Sequence, residues 1–247
     1  MTTDPYRQYH SPYMSMGNNW INRADPDGGE DNPIYGSDGT FRGVDQYGLD
    51  GAAIVYDGEF TNGMSQFDIL NNGGFFLGDN FDFLNGYAGN KIMNHFMEIP
   101  NRPDFDGALT INEANYHYRN GKGEPLYVDR GKIGLFPLTV EKNFGYDYGK
   151  SINYNFINDA AKEGAANPTT GIIYGTLKVT LENVNGRVHI GRHSDNQVDV
   201  YDFNMDGRTV RDILTRIGEI NAEQGFDRSG MPYIIYGYGQ AYIPLKR

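Results

Sequence analysis

The densest set of chemically capable side chains is the run Asp199-Val200-Tyr201-Asp202-Phe203-Asn204, followed by Arg208. An extended strand rises about 3.3 Å per residue, so such a run gathers two carboxylates, a phenol, an amide and a guanidinium within roughly 10 Å. Strand alternation projects Asp199 and Tyr201 from one face. Carboxylates are hard oxygen ligands suited to Mg²⁺, which takes one or two of them together with substrate phosphate oxygens. Asp199 and Asp202 are therefore the candidate ligands for Mg²⁺ or another divalent cation. Arg208 offers a permanently charged planar fork that matches a phosphate, and a helix N-terminus beside it adds attraction for an anion. Asn204 supports substrate binding. These are the parts required to cleave a phosphate ester or a pyrophosphate, although Asp and Asn ahead of a helix also serve as ordinary caps.

The elements that must position this run are legible around it. Ile173, Leu177, Val179 and Leu181 alternate with Tyr174, Thr176, Lys178 and Thr180, which predicts a strand over 173–181. Asn185-Gly186 is a type I′ hairpin signal, and Val188 and Ile190 continue the apolar face after it. A further strand runs into Val200 and Tyr201. A helix follows, with Thr209 and Asp212 as its capping box and Val210, Ile213, Leu214 and Ile217 as its buried stripe. Tyr233–Tyr236 and Ala241–Ile243 close the sheet. Upstream, Leu84, Ala88, Ile92 and Phe96, with Met93 and Met97 beside them, predict a core-facing helix that stops at Pro100. A second helix is expected from Ile111 to Tyr118, capped by Thr110 with Glu113 and ended by Asn120-Gly121. Ala52–Tyr56 reads as a short strand. The class is α+β: a curved, half-barrel-like antiparallel sheet with packed helices.

Composition limits the functions open to such a chain. Net charge is −11, which opposes approach to a nucleic-acid backbone and leaves no bulk attraction to anionic membranes. There are no cysteines, which excludes disulfides, thiol catalysis and Cys-based zinc sites. The 33 glycines and 11 prolines favour short strands and many turns over a helical bundle. The N-terminus lacks the charged and apolar regions of a cleavable signal peptide.

The order Asp199-x-Tyr201-Asp202-Phe203-Asn204, then Arg208, then Leu214-Thr215-Arg216-Ile217-Gly218, resembles the catalytic segment of colicin M and related bacteriocins. The likeness extends upstream through His117-Tyr118-Arg119-Asn120-Gly121, Val128-Asp129, Ile133-Gly134-Leu135 and Gly175-Thr176-Leu177, covering roughly Thr110 to Arg247. The family's receptor-binding and translocation parts have no counterpart. The resemblance implies a metal-dependent hydrolase that cleaves lipid II between the polyprenyl chain and the pyrophosphate, in the periplasm of a target cell. It implies Asp199, Tyr201, Asp202 and Arg208 as catalytic residues and an immunity protein as a partner in the producing cell. The family carries a His-Arg pair after this run, whereas this chain is shorter there and offers Gly207-Arg208. His193 and His189 are the candidates to replace the lost imidazole, His193 as a substrate-binding group. Each also reads as a solvent-facing histidine on a polar strand face.

Near the N-terminus, Ser11-Pro12-Tyr13, Met16-Gly17-Asn18-Asn19 and Ala24-Asp25-Pro26-Asp27-Gly28-Gly29 resemble the end of an Rhs repeat-associated core, with Trp20 where that family often has Pro. The resemblance implies a toxin tail delivered by an Rhs carrier and its secretion apparatus, of the type VI kind. The expected organisation is core end over 1–29, junction over 30–75 and toxin domain over 76–247. Two alternatives remain: a phosphodiesterase or phospholipase toxin on another phosphate substrate, and a non-catalytic tip module of the Rhs shell.

Overall fold

The computed structural model describes residues 32–165, 167–202 and 230–246, which belong to two compact units that divide between Asp106 and Gly107. The helix expected over 209–217, and with it Asn204 and Arg208, lies outside the described residues, as does the Rhs-like segment.

In the first unit, β1 (Pro33–Tyr35), β2 (Phe41–Val44), β3 (Ile54–Val55) and β4 (Phe75–Phe76) form a sheet in the order β2-β1-β3-β4, with β1 and β3 parallel. Helix α1 (Gln66–Asn71) lies between β3 and β4 in sequence, and α2 (Phe81–Leu84) and α3 (Tyr87–Glu98) follow. Ile34, Ile54, Tyr56, Ile69 and Phe76 make its core. The segment read as a junction thus carries packed secondary structure of its own. The helix predicted around Leu84 to Phe96 is split at Gly86, the N-cap of α3, so Leu84 belongs to α2. Ile92 is buried as expected, but Met97 is 69% exposed and Met93 also faces outward, so the apolar stripe is narrower than the sequence suggests.

The second unit contains α4 (Ile111–Asn120), β5 (Leu126–Asp129), β6 (Ser151–Asn155), α5 (Asn158–Lys162), α6 (Pro168–Tyr174) and β7 (Thr176–Leu181). β8 (Arg187–Ile190), β9 (Gln197–Tyr201), β10 (Tyr233–Tyr238) and β11 (Ala241–Tyr242) are its remaining strands among the described residues. One sheet runs β5-β10-β9 and the other β11-β8-β7-β6. The class is α+β, with largely antiparallel ladders. β5 pairs with β10 in parallel, however, which the expectation of an antiparallel sheet missed. The inner face of the second sheet is built from Leu177, Val179, Leu181, Val188 and Ile190, all within one core that also takes in Val128, Phe156, Tyr201, Tyr233 and Ile235.

Two local expectations are corrected. Ile173 and Tyr174 are the end of α6 rather than the start of a strand. Asn167 caps that helix through Thr170, Pro168 opens it, and Gly175 at φ 63° turns the chain into β7. The loop between β7 and β8 covers Glu182–Gly186, so Asn185-Gly186 is not a two-residue turn. Its organiser is Asn183, whose carboxamide oxygen accepts from the backbone N–H groups of Asn185 and Arg187. The Thr110–Glu113 capping box of α4 forms as read.

A chain cut at the 75/76 boundary would sever β4, whose Phe75 and Phe76 pair with Val55 and Ile54. A fragment starting at Gly107 keeps every member of the second unit's core, from Leu109 to Ile243, and should melt cooperatively with native-like near-ultraviolet dichroism. A molten fragment would contradict this division.

Asp45 is fully buried. Its carboxylate accepts from the backbone N–H groups of Asn32, Tyr47 and Gly48 and from the Asn32 side chain at 2.8–3.3 Å. Burial outweighs these donors and pushes Asp45 up to about 7. The unfolded chain ionises near the ordinary carboxylate value, so the stability this group contributes is complete below about pH 4. It is lost as pH rises through about 7. The loss should be on the order of a few kcal/mol in the first unit, read by hydrogen exchange at pH 5 and pH 8. Asp45→Asn should flatten that slope, and an unchanged slope would refute the assignment.

Candidate functional site

β9 brings the first half of the candidate run into the second unit. It pairs antiparallel with β10, setting Tyr201 opposite Tyr233 and Asp199 opposite Ile235 before a bulge at Ile235/Tyr236. Asp199 and Tyr201 therefore share one face, as alternation requires. Val200, between them, is 37% exposed. The ladder ends at Tyr201, and Asp202 is the first residue beyond it, partly exposed.

Tyr201 is a core residue. It is 3% exposed, stacks on Tyr233 with ring centroids 5.1 Å apart, and meets the Tyr118 ring of α4 at 6.2 Å. Its hydroxyl donates to Asn115 Oδ1 at 2.5 Å. A buried phenol committed in this way holds its neighbours in place. Tyr233 repeats the arrangement, donating to the Ala114 carbonyl at 3.0 Å. The pair fastens α4 to the strand that delivers Asp199 and Asp202.

Asp199 is half-buried beside α6. Burial first, and then the Asp199 charge, push the Tyr174 phenol above its ordinary value, which puts that carboxylate near the C-terminal residue of α6. Sequence reading singled out neither Tyr174 nor Asn115, because both lie far from the run in sequence. Asp199 and Asp202 supply the hard oxygen donors that Mg²⁺ accepts, with its remaining positions left to water and phosphate. The two residues fit such an ion in donor chemistry. When bound, it would neutralise charge on a phosphate oxygen.

His193 and His189 are brought together in a different place. β7 and β8 pair Thr180 with His189 and Leu181 with Val188, so Glu182 and His189 lie on the sheet face opposite the core. The turn after β8 starts at Gly191 (φ 94°), where a Cβ would fall 2.1 Å from the Gln197 carbonyl oxygen. This turn folds His193 back onto His189, with rings nearly parallel and centroids 3.8 Å apart. The His189 Nε2–H donates to the Arg192 carbonyl at 3.2 Å. Burial and the nearby Arg130 guanidinium push His189 down to about 4, so its ring is neutral at physiological pH. Arg130 is itself buried and donates to the Ile190 carbonyl and to Asn196 Oδ1 at 2.6 Å, fixing both ends of the turn. Glu182, which sequence reading passed over, has a carboxylate oxygen within 4.8 Å of a ring nitrogen of each histidine. Among the described residues, Asp199 and Asp202 belong to no such three-donor group.

No family model and no curated protein matches the chain. Among solved structures it is similar to PaeM, a colicin M-like bacteriocin produced by Pseudomonas aeruginosa. That match has 19% identity and TM-score 0.29, and covers 54% of this chain and 49% of that one. Syringacin M, a truncated bacteriocin from Pseudomonas syringae pv. tomato DC3000, matches at 16% identity and TM-score 0.30, covering 64% and 74% of the two chains. Pectocin M2 matches at 20% identity and TM-score 0.29, covering 64% and 65%. The match thus spans about half the length of the PaeM chain. Likeness at this level carries neither the fold nor the activity of those proteins over to this chain.

Proposed function

We propose that this chain is an antibacterial toxin whose second unit hydrolyses lipid II, releasing polyprenol from the pyrophosphate-linked disaccharide peptide. The observation that carries the reading is the meeting of sequence segments that resemble the colicin M family. Tyr118 from the α4 segment packs on Tyr201 from the catalytic run, and β5, with Val128 and Asp129, joins the same sheet as β9. Segments far apart in sequence thus form one core around the strand that ends at Tyr201, just before Asp202. In this reading, Asp199 and Asp202 hold a divalent cation such as Mg²⁺, Arg208 grips the pyrophosphate, Asn204 supports it and Tyr201 positions the strand. The reaction takes place in the periplasm of a target cell. An immunity protein protects the producer, and an Rhs carrier delivers the toxin. Among the described residues, no helix is long and apolar enough to cross a membrane.

One observation favours a second reading. Gly207-Arg208 stands where the family has a His-Arg pair, so an enzyme lacking that imidazole could act on another phosphodiester.

The test is polyprenol release from purified lipid II with Mg²⁺. Asp202→Asn and Arg208→Lys should each lower the rate at least about tenfold, or about 1.4 kcal/mol of transition-state stabilisation, with melting unchanged. Tyr201→Phe should behave in the opposite sense. It leaves Asn115 Oδ1 without its buried donor, costing about 1–3 kcal/mol of stability, while the surviving folded fraction stays active. Full activity in the Asp202 and Arg208 variants would sink the reading.

A further inference from the structure

The Glu182–His189–His193 group has no part in the site described above. Gln197, at the start of β9, closes the histidine turn onto Arg192, whereas Asp202 follows the end of that strand. Among the described residues, neither Asp199 nor Asp202 belongs to that group of three donors. We propose that Glu182, His189 and His193 form a binding site for a transition-metal dication of the Zn²⁺ class, which ties the β7–β8 loop to the turn that feeds β9.

Four features carry this assignment. The first is the donor set. Two imidazoles and a carboxylate suit Zn²⁺, whereas Mg²⁺ selects oxygen ligands and waters. The second is proximity. The three ligand atoms lie within 4.8 Å of one another, and a tetrahedral site with bonds of about 2.0–2.1 Å needs separations of about 3.3 Å. Glu182 and His193 are both exposed, so their side chains have room to turn toward an ion. The third is the tautomer. A carbonyl can only accept, so the Arg192 oxygen fixes the proton of His189 on Nε2 and leaves the Nδ1 lone pair for a metal. The fourth is rigidity. Gly191, the Arg130 bonds to Ile190 and Asn196, and the backbone bonds between Gly191 and Lys178 and between Arg192 and Gln197 hold the turn in place without any ion.

The charges around the group are mixed. Arg187 donates to Glu182 Oε2 at 2.7 Å, leaving the second carboxylate oxygen as ligand, and Arg192 is paired with Asp195. Arg130 is a further cation nearby, held by its bonds to the Ile190 carbonyl and Asn196 Oδ1. Three protein ligands leave a fourth position for water.

The untagged full chain should be titrated with Zn²⁺ at pH 7.5 by calorimetry, in excess Mg²⁺, with thermal melting in parallel. One equivalent should bind and raise the melting temperature. His193→Ala and Glu182→Gln should each weaken binding at least about tenfold, and neither residue is buried, so folding is not at risk. Asp202→Asn should bind Zn²⁺ as the parent does. Absence of one-equivalent binding, equal binding in the His193 and Glu182 variants, or loss of binding in Asp202→Asn would each overturn the proposal.

Discussion

The hydrogen bond from the Tyr201 hydroxyl to Asn115 is the contact on which the second unit turns. It joins residues 86 positions apart and is buried, so breaking it strands a polar atom in the core. Around it, Tyr201 stacks on Tyr233, and the Tyr233 and His117 rings meet edge to face with centroids 4.7 Å apart. α4, β9 and β10 are thereby locked in register by aromatic rings whose polar tips are all used. Nineteen tyrosines are a conspicuous supply for one chain, and this cluster shows their use: apolar faces fill space while hydroxyls tie elements together. The end of β9, where the candidate carboxylates emerge, inherits its position from this lock.

A second constraint acts at the other end of β9. Arg130 reaches from just after β5 to the far side of β8, and its guanidinium ties down the chain at Ile190 and Asn196. A Cβ on Gly237 would lie 2.8 Å from Arg130 Nε, so the glycine in β10 leaves the room that the side chain needs. β9 is therefore pinned at its start by a buried cation and at its end by a buried phenol. Between these pins, Asp199 points inward beside Tyr174, and Asp202 leaves the ladder toward solvent.

Sequence periodicity made much of this legible. The α4 capping box, the alternation in β7 and β8 and the shared face of Asp199 and Tyr201 are local patterns, and all three are present. Where reading failed, a nonlocal or overriding term was responsible. Alternation in Ile173 and Tyr174 looked like a strand, but the Asn167-Pro168 helix start decided their conformation. The bond between Tyr201 and Asn115 is invisible at that sequence distance. Glu182 was overlooked for the same reason: only the hairpin register brings it beside His189. The parallel pairing of β10 with β5 likewise depends on chain order in space rather than on any pattern within either strand.

The identity of the reaction products reports on the chemistry assigned to the strand exit. Lipid II incubated with the folded protein and Mg²⁺ should yield free polyprenol and a soluble disaccharide peptide that retains both phosphates, as read by mass spectrometry. Polyprenyl phosphate with a singly phosphorylated sugar, or intact lipid II, would contradict it.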